Sequence, residues 1–363
     1  MQSVLNDTLL MKVVYDNIIF SLQRCGGISV VWGKLLNHIM SHGDVDVVAL
    51  EGEDACSNIV RRELTLDGIA LHSFKTRLMA LRRWFNPSVP SDVAGGGKFI
   101  FHSSYYRLSG HPKAVNVTTV HDFSYRMFVT NPLKRYIHCS QMFRAIRMAD
   151  HVVCISENTR KDLFRFLPDV PKDKVSVIYN GVDNKFFPME DFCSQDFVLF
   201  VGKRDRYKNF NALVAPLAEL GRSIKIVGVP LTADEEALMR QSGLQYEYCG
   251  IVTDEELNRL YNEAFCLLYT SLYEGFGLPV LEAQMAGCPV VAMDSSSIPE
   301  VIGDKRMLLS EITAESLQEK FQLLSDSTAR ASVIAHGMEK AHSFSWDRMG
   351  QEYYELYSRL LNQ

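Results

Sequence analysis

CLLYTSLYEGFGLPVLEAQMAGCPVVAM, residues 266–293, has the pattern of a strand, a turn, a helix and a second strand. The apolar run CLLYTS predicts a buried strand that ends near Ser271. The turn runs from Glu274 to Pro279, and because proline is favoured in the first turn of a helix, a helix is predicted to start close to Pro279. CPVVAM predicts the next strand. Two strands joined through a helix indicate a parallel sheet.

The same alternation continues on both sides of this stretch. In the first half, apolar runs such as residues 11–16 and 98–104 are separated by helical patterns such as 30–40 and 133–149. A chain of 363 residues is too long for one ordinary core. The sequence therefore predicts an α/β protein of two doubly wound parallel-sheet domains, which bind ligands at the carboxyl ends of their strands.

The domain boundary is predicted where turn residues, a proline and acidic residues lie between two strand patterns, at residues 180–196. This gives an N-terminal domain of residues 1–190 and a C-terminal domain of residues 191–342. Residues 343–363 have a good helical period and no strand after them. They are predicted to form a separate C-terminal helix.

Composition limits the class of protein. No apolar run reaches the roughly 20 residues that a membrane span requires. The N-terminus lacks the basic start and apolar core of a signal peptide, and none of the eight cysteines forms a Cys-x-x-Cys pair. We therefore expect a soluble cytoplasmic protein with free thiols.

Charge is distributed unevenly along the chain. Residues 1–190 contain 23 Lys and Arg against 18 Asp and Glu, whereas residues 191–363 contain 15 against 25. A mildly basic first half is compatible with weak association with an anionic partner such as a phosphorylated lipid or a membrane surface, but it is more typical of an ordinary solvated face. The segment KTRLMALRRWFNP, residues 75–87, has the same two interpretations. Nothing indicates nucleic-acid binding.

The turn in the opening stretch has the chemistry of an anion site. Gly275 and Gly277 allow a ligand to approach the backbone closely, and the amides of Phe276 and Leu278 lie near a helix start, where N–H groups have no helical partner. Glu274 lies at the edge of this pocket, and Glu282 lies about one turn into the helix. The two carboxylates can bind different parts of one elongated ligand. The alternative is that each merely complements the helix dipole.

YEGFGLPVLE followed by AGCPVVA resembles the E-x7-E motif of retaining glycosyltransferases of family 4. The resemblance extends from about residue 12 to residue 350. It implies the GT-B fold, in which two Rossmann-like domains face a cleft and the C-terminal helix crosses back to the N-terminal domain. It also implies that Glu274 binds sugar hydroxyls near the reacting centre and that Glu282 holds the ribose.

VGKRDRYKNF, residues 201–210, is similar to the family's basic loop, which binds the donor pyrophosphate. The resemblance implies donor contacts from Gly202, Arg204, Lys208 and Asn209. Many members have arginine directly before Lys-Asn, where this chain has tyrosine, so the guanidinium comes from Arg204 or from Arg206.

The N-terminal half carries two further matches. TVHDFSYRMF, residues 119–128, is similar to the family's His-Asp loop and implies that His121 contacts the donor sugar. CGGIS, residues 25–29, resembles the Gly-Gly loop and implies that the amides of Gly26 and Gly27 face the phosphates or the acceptor.

Acceptor-side candidates come from HSSYYR, residues 102–107, which follows another predicted strand. Its aromatic and hydrogen-bonding groups suit a sugar, although plain packing is the alternative. The candidates are His102, Tyr105, Tyr106 and Arg107, together with Asp122.

The resemblance predicts transfer of a hexose from a nucleotide diphosphate sugar to a saccharide or polyprenyl-linked acceptor in surface polysaccharide synthesis. GDP-mannose is the first candidate donor and UDP-hexoses follow. No cofactor and no metal are expected, because no Asp-x-Asp follows a strand. A nucleotide-sugar epimerase of the same architecture and a catalytically silent sugar-nucleotide-binding subunit remain as alternatives. A dinucleotide oxidoreductase would require Gly-x-Gly-x-x-Gly, which CGGIS does not supply.

Overall fold

The computed structural model describes residues 10–66, 69–76, 85–90, 93, 97–190 and 195–363. The chain divides into two compact units: one contains the chain up to Gly181 together with Trp346–Gln363, and the other contains Val182–Ser345. Each described unit is built on one parallel sheet. The predicted α/β class with two Rossmann-like domains is confirmed.

The first unit has a seven-stranded sheet. Its strands are β1 (Met11–Asp16), β2 (Val45–Gly52), β3 (Ala70–Phe74), β4 (Phe99–Ser103), β5 (Ala114–Val120), β6 (His151–Cys154) and β7 (Val175–Val177). Its described helices are α1 (Ile19–Leu22), α2 (Gly27–Met40), α3 (Ile59–Glu63), α4 (Ser124–Phe128), α5 (Pro132–Met148) and α6 (Glu157–Phe166).

The second unit has a six-stranded sheet. Its strands are β8 (Phe197–Val201), β9 (Ser223–Val227), β10 (Tyr246–Gly250), β11 (Cys266–Tyr269), β12 (Val290–Met293) and β13 (Leu308–Leu309). Its helices are α7 (Asn211–Glu219), α8 (Ala233–Ser242), α9 (Asp254–Glu263), α10 (Leu278–Met285), α11 (Ile298–Val301), α12 (Ala314–Ser325) and α13 (Ser327–His342).

Strand order determines where ligands can bind. The orders are β3-β2-β1-β4-β5-β6-β7 and β10-β9-β8-β11-β12-β13. In the first sheet the direction of strand addition reverses between β1 and β4, and in the second it reverses between β8 and β11. The loops that leave two such neighbouring strands diverge, and the crevice between them is the usual binding site of a doubly wound sheet.

The last helix, α14 (Trp346–Leu361), belongs to the first unit and packs against α2. One face is buried, and its residues recur with the helical period: Met349, Tyr353, Leu356, Tyr357 and Leu360. The predicted C-terminal helix thus completes the N-terminal core.

The unit boundary lies at Gly181/Val182, nine residues before the predicted one. Phe186 packs edge-on against Tyr261 with ring centroids 5.8 Å apart. The backbone amide of Phe187 donates to the side chain of Asn258 at 3.0 Å. These contacts tie the segment before residue 190 to α9, so it folds with the second unit.

Most of the 75–87 segment lies outside the described residues. The described helices include none that is both long and apolar enough to cross a bilayer.

Candidate active site

The site is built where β8 and β11 lie side by side. Their loops leave the same edge of the sheet, since the strands pair in parallel through Cys266 and Leu267. The loop after β8 carries Lys208, and the loop after β11 carries Glu274. Lys208 Nζ donates to Glu274 Oε1 at 2.5 Å, although the residues are 66 positions apart. The sheet reversal therefore brings together two of the four residues predicted to be catalytic, which are Glu274, His121, Arg204 and Lys208.

Glu274 is fixed by groups that the sequence did not single out. The Tyr269 hydroxyl donates to Glu274 Oε1 at 2.6 Å, and the Glu274 amide donates to Ser296 Oγ at 2.8 Å. Ser297 Oγ donates to the Glu274 carbonyl at 3.0 Å and to the Phe276 carbonyl at 2.8 Å. Ser296 adopts a positive φ of 50°, which is uncommon for a residue with a side chain. The triple serine DSSSIPE after β12 is the one sequence signal for these contacts.

The basic loop is held close to β11. Thr270 Oγ1 donates to the Lys208 carbonyl at 2.8 Å, and the Leu272 amide donates to the Tyr207 carbonyl at 2.8 Å. Asn209, directly after Lys208, is left-handed with φ 58°. These bonds determine where the Lys208 backbone lies, so that the side chain has only to reach across to Glu274.

Gly202 directly follows β8, and its backbone lies very close to that of Gly228. Its φ is 128°. A Cβ placed on Gly228 would lie 2.4 Å from the Gly202 carbonyl oxygen, so Gly228 is needed for the two strand ends to meet. No local pattern in the sequence predicted that Gly228 would lie against Gly202.

Arg204 is held by internal partners through two of its guanidinium nitrogens, while its buried Nη1 has no hydrogen-bond partner among the described residues. Its Nε donates to Glu235 at 3.0 Å, and its Nη2 donates to the carbonyls of Val229 and Pro230 at 2.8 Å. Its side chain is only 3% exposed. These hydrogen bonds of Arg204 link the basic loop to the start of α8. The neighbouring Arg206 is exposed.

The elbow after Glu274 needs glycine for a steric reason. Gly277 has φ 111°, and a Cβ there would lie 2.9 Å from Ile298 Cδ1. Gly277 precedes the first residue of α10, and the structure shows no side-chain cap on it. Phe276 is buried against Phe344, with ring centroids 5.6 Å apart. Helix α10 begins at Leu278, at the end of the loop that carries Glu274, and it has Pro279 in its first turn.

Glu282 lies on α10 beside a fully buried tyrosine. The Tyr261 hydroxyl donates to Glu282 Oε2 at 3.2 Å. Burial raises the pKa of Glu282 to about 7, and the nearby carboxylates of Asp254 and Asp183 act in the same direction. The site thus holds a carboxyl group that is only partly ionised near neutral pH.

In the first unit, His121 follows β5 and is buried, with 8% exposure. Burial lowers the pKa of His121 to about 4, so its ring is neutral at physiological pH. The Tyr106 hydroxyl bonds the His121 backbone, and Tyr106 itself is left-handed with φ 54°. Asp122 Oδ1 accepts from the amide and hydroxyl of Ser124 at 2.8 and 2.6 Å, which starts α4. Asp122 is therefore engaged in a turn.

Two acceptor-side candidates, His102 and Arg107, are hydrogen-bonded to other side chains inside the first unit. This differs from their predicted role. His102 is fully buried, with Nδ1 2.6 Å from the Tyr357 hydroxyl and Nε2 2.9 Å from Thr119 Oγ1. Arg107 binds Asp16 through two hydrogen bonds, of which the Nε to Oδ2 bond is 2.7 Å long. Both side chains serve the core, because burial without such partners would be costly.

Tyr105 belongs to an aromatic cluster of the first unit. Its hydroxyl lies 3.2 Å from His138 Nδ1, and its ring lies 5.0 Å from that of Tyr106. The Tyr125 ring stacks on the His138 ring, with ring centroids 3.9 Å apart. These four aromatic residues form one cluster beside the His121 loop.

Gly26 and Gly27 lie at the start of α2. Gly26 is extended, with φ 166°, and a Cβ there would meet the Gln23 side chain at 2.6 Å. Ser29 Oγ donates to the Gly26 carbonyl at 2.8 Å. Gly26 is the N-cap and Gly27 the first residue of this 14-residue helix, and the predicted contacts of their amides with the phosphates or the acceptor stay a prediction.

Two family patterns match the chain. Residues 25–186 match the family described as Glycosyltransferase Family 4, and residues 182–340 match Glycosyl transferases group 1. Together they cover nearly all of both units. The chain belongs to the family 4 glycosyltransferases.

Similar proteins agree in class. The O-antigen chain mannosyltransferase B of Escherichia coli is 26% identical over 287 residues, which is 72% of this chain and 74% of that protein. The serotype-specific mannosyltransferase WbdA of Escherichia coli is 25% identical over 66% of this chain, and the match spans only 31% of WbdA.

Solved structures share the fold. Sucrose-phosphate synthase from Thermosynechococcus elongatus superposes with a TM-score of 0.72 at 18% identity, over 96% of this chain and 99% of that one. Anabaena HepE, solved with UDP and glucose, has a TM-score of 0.69 at 15% identity over 96% of this chain and 99% of that one.

Proposed function

We propose that this protein is a retaining, metal-independent hexosyltransferase that moves a hexose from a nucleotide diphosphate sugar to a saccharide or lipid-linked saccharide. The observation that carries the proposal is the contact between Lys208 and Glu274 at the reversal point of the second sheet. A cation for a leaving diphosphate and a carboxylate for the sugar are the two groups that the reaction needs close together.

Lys208 and the elbow stabilise the leaving group in this mechanism. An ammonium group has three N–H donors, so Lys208 can keep its bond to Glu274 and also donate to a phosphate oxygen. The first-turn amides of α10 add a second positive region, since a helix start attracts phosphate. Fixed donors aimed at developing negative charge are among the strongest catalytic devices. The guanidinium comes either from Arg204, whose Nη1 has no hydrogen-bond partner among the described residues, or from the exposed Arg206.

Glu274 and His121 are assigned to the sugar. Glu274 binds sugar hydroxyls and stabilises positive charge at the anomeric carbon, and the Tyr269 hydroxyl keeps its carboxylate oriented. His121 contacts the sugar as a neutral imidazole, in accordance with its lowered pKa. The acceptor oxygen bonds to the anomeric carbon on the face that the leaving group departs from. The bond to the phosphate oxygen breaks, and that oxygen takes the acceptor proton.

Glu282 is assigned to the ribose. Two ribose hydroxyls would donate to the carboxylate, and hydrogen bonds to the charged form favour ionisation. Donor binding should therefore lower the pKa of Glu282 from its value of about 7.

GDP-mannose is the first candidate donor, supported by the name of the Escherichia coli mannosyltransferase relative. UDP-hexoses come second, supported by the UDP and glucose bound to HepE. We further propose that the enzyme works in the cytoplasm at the inner face of the membrane, in the synthesis of O-antigen, capsule or exopolysaccharide.

The test is a thermal-shift screen of nucleotide diphosphates followed by turnover measurements. A ligand at about 100 times its dissociation constant stabilises by about 2.7 kcal/mol, so the preferred base should be evident. Glu274→Gln should reduce turnover at least about a hundredfold, a loss of about 2.7 kcal/mol in barrier stabilisation. Lys208→Gln should mainly weaken nucleotide binding, whereas Arg240→Gln, an exposed cation on α8, serves as the control.

Full turnover by the Glu274 variant would remove Glu274 from the reaction. Incubation with the nucleotide sugar alone separates transfer from epimerisation, since an epimerase makes a new nucleotide sugar without an acceptor. Nuclear magnetic resonance of the product should show the donor's anomeric configuration, and EDTA should leave the rate unchanged. Inversion, or loss of activity in EDTA, would contradict the corresponding part of the proposal.

A further inference from the structure

The first unit carries a concentration of exposed apolar side chains on α4 and α5. Of the 14 large hydrophobic residues exposed in the described chain, four lie within the 12 residues from 125 to 136. These are Tyr125, Phe128, Leu133 and Tyr136, with exposures of 40%, 37%, 65% and 70%. We call these four residues, together with Lys134 and Arg135 beside them, the α4–α5 surface.

The outward orientation of these residues follows from helix geometry. Leu133 and Tyr136 are three positions apart on α5, so they lie on one face. The opposite face is packed into the unit, with His138 and Met142 buried. Leu133 and Tyr136 therefore do not contribute to the hydrophobic core of this unit.

The same segment has no carboxylate. Between Asp122 and Asp150 the sequence has five Lys and Arg and no Asp or Glu, whereas acidic residues occur about once every eight residues in the rest of the chain. No described carboxylate lies within ion-pair distance of Lys134 or Arg135 on α5. A chain with a formal charge of −5 thus keeps a local positive surface around its exposed aromatic residues.

We infer that the α4–α5 surface docks this protein on an anionic lipid bilayer. Tyrosine suits the headgroup region, where its ring is apolar and its hydroxyl is hydrated, and leucine suits the acyl boundary. Lysine and arginine beside them complement anionic headgroups, which attract each nearby cation by about 1 kcal/mol. The charge pattern favours a lipid surface over an acidic protein, since the apolar residues are interspersed with cations along one short hairpin.

The position of the α4–α5 surface indicates that docking would bring a lipid-linked acceptor to the enzyme, and this step rests on the proposed function. Tyr125 follows His121 by four residues and stacks on His138, whose ring nitrogen meets the Tyr105 hydroxyl. The α4–α5 surface is thus continuous with the side chains beside the candidate sugar contact. A lipid-linked acceptor would keep its carrier in the bilayer while its saccharide reaches Tyr105.

The test is co-sedimentation of the full chain with vesicles of phosphatidylcholine alone or mixed with phosphatidylglycerol. We expect binding to the mixed vesicles that decreases at high salt. The double variant Lys134→Gln, Arg135→Gln should bind them about thirtyfold more weakly, and Leu133→Ser, Tyr136→Ser at least about tenfold more weakly. The controls are Lys305→Gln and Ile251→Ser, an exposed cation and an 83% exposed isoleucine of the second unit, which should bind like the unchanged chain.

Equal binding to both kinds of vesicle, or unchanged binding by both double variants, would overturn the inference. So would a dimer in sedimentation velocity that Leu133→Ser, Tyr136→Ser dissociates, because the surface would then be occupied by a second copy. Thermal shifts with GDP and UDP are measured on every variant. If the unchanged chain binds mixed vesicles but no nucleotide, the proposed function fails and the docking surface stands.

Discussion

Glu282→Gln should stabilise the ligand-free protein above neutral pH while weakening donor binding. The pKa of Glu282 is about 7 against an ordinary 4.5, and each tenfold change in proton affinity corresponds to about 1.4 kcal/mol. A carboxyl whose pKa is raised by folding destabilises the native state as pH rises through the folded value. At pH 8 this cost approaches about 3 kcal/mol, and at pH 5 it falls below about 1 kcal/mol. Glutamine removes the charge and can still accept from the Tyr261 hydroxyl.

The assay is differential scanning calorimetry of the ligand-free chain at pH 8 and pH 5. For a unit of 164 residues, the change should raise the melting temperature by about 9 °C at pH 8 and by only about 2 °C at pH 5. Glu339→Gln, an exposed glutamate on α13, is the matched control and should shift neither transition. A gain of equal size at both pH values, or none at pH 8, would refute the link between burial and ionisation. Unchanged donor affinity would separately remove Glu282 from the ribose site.

Two further predictions concern folding. Gly277→Ala should cost at least about 2 kcal/mol in unfolding free energy, because φ of 111° and Ile298 both oppose a side chain. Gly221→Ala, at φ 65° in open space, should cost only about 1 kcal/mol, and equal losses in chemical denaturation would show that Ile298 yields freely. His102, His121 and His151 have pKa values lowered by burial to about 3, about 4 and about 4, so the unfolded chain binds three protons from pH 6.5 downwards that the native chain excludes. The first unit should lose about 4 kcal/mol per pH unit between pH 6 and 5 from this source, and His102→Gln should reduce the slope in urea titrations by about a third while exposed His342→Gln leaves it unchanged.

The elements of the fold could be predicted because each is encoded locally. Apolar runs bounded by turn residues gave the strands, and Pro279 marked the start of α10 within one residue. The two-residue strand Leu308–Leu309 lacked enough length to be recognised. Position in a doubly wound sheet then placed Lys208 and Glu274 at one edge, since the loops after neighbouring parallel strands leave the same edge of the sheet and border one crevice.

The roles of individual polar side chains could not be predicted in the same way. Arg107 binds Asp16, which is 91 residues away, and His102 lies against Tyr357, which is 255 residues away. A motif shows that a polar residue follows a strand, but only the folded chain shows whether an internal partner already occupies it. Arg204 illustrates this, because Glu235 belongs to the capping box of another helix.

The return of α14 to the first unit constrains how the protein is made. Translation must add the 164 residues of Val182–Ser345 before Trp346 appears, which takes roughly 10 to 30 seconds at ordinary elongation rates. During that interval the apolar side of α2 lacks its final cover, and the hydroxyls of Tyr353 and Tyr357 are absent from His102 and Thr119. The unit that is synthesised second can therefore finish folding before the first, and a nascent chain arrested before Trp346 should require a chaperone.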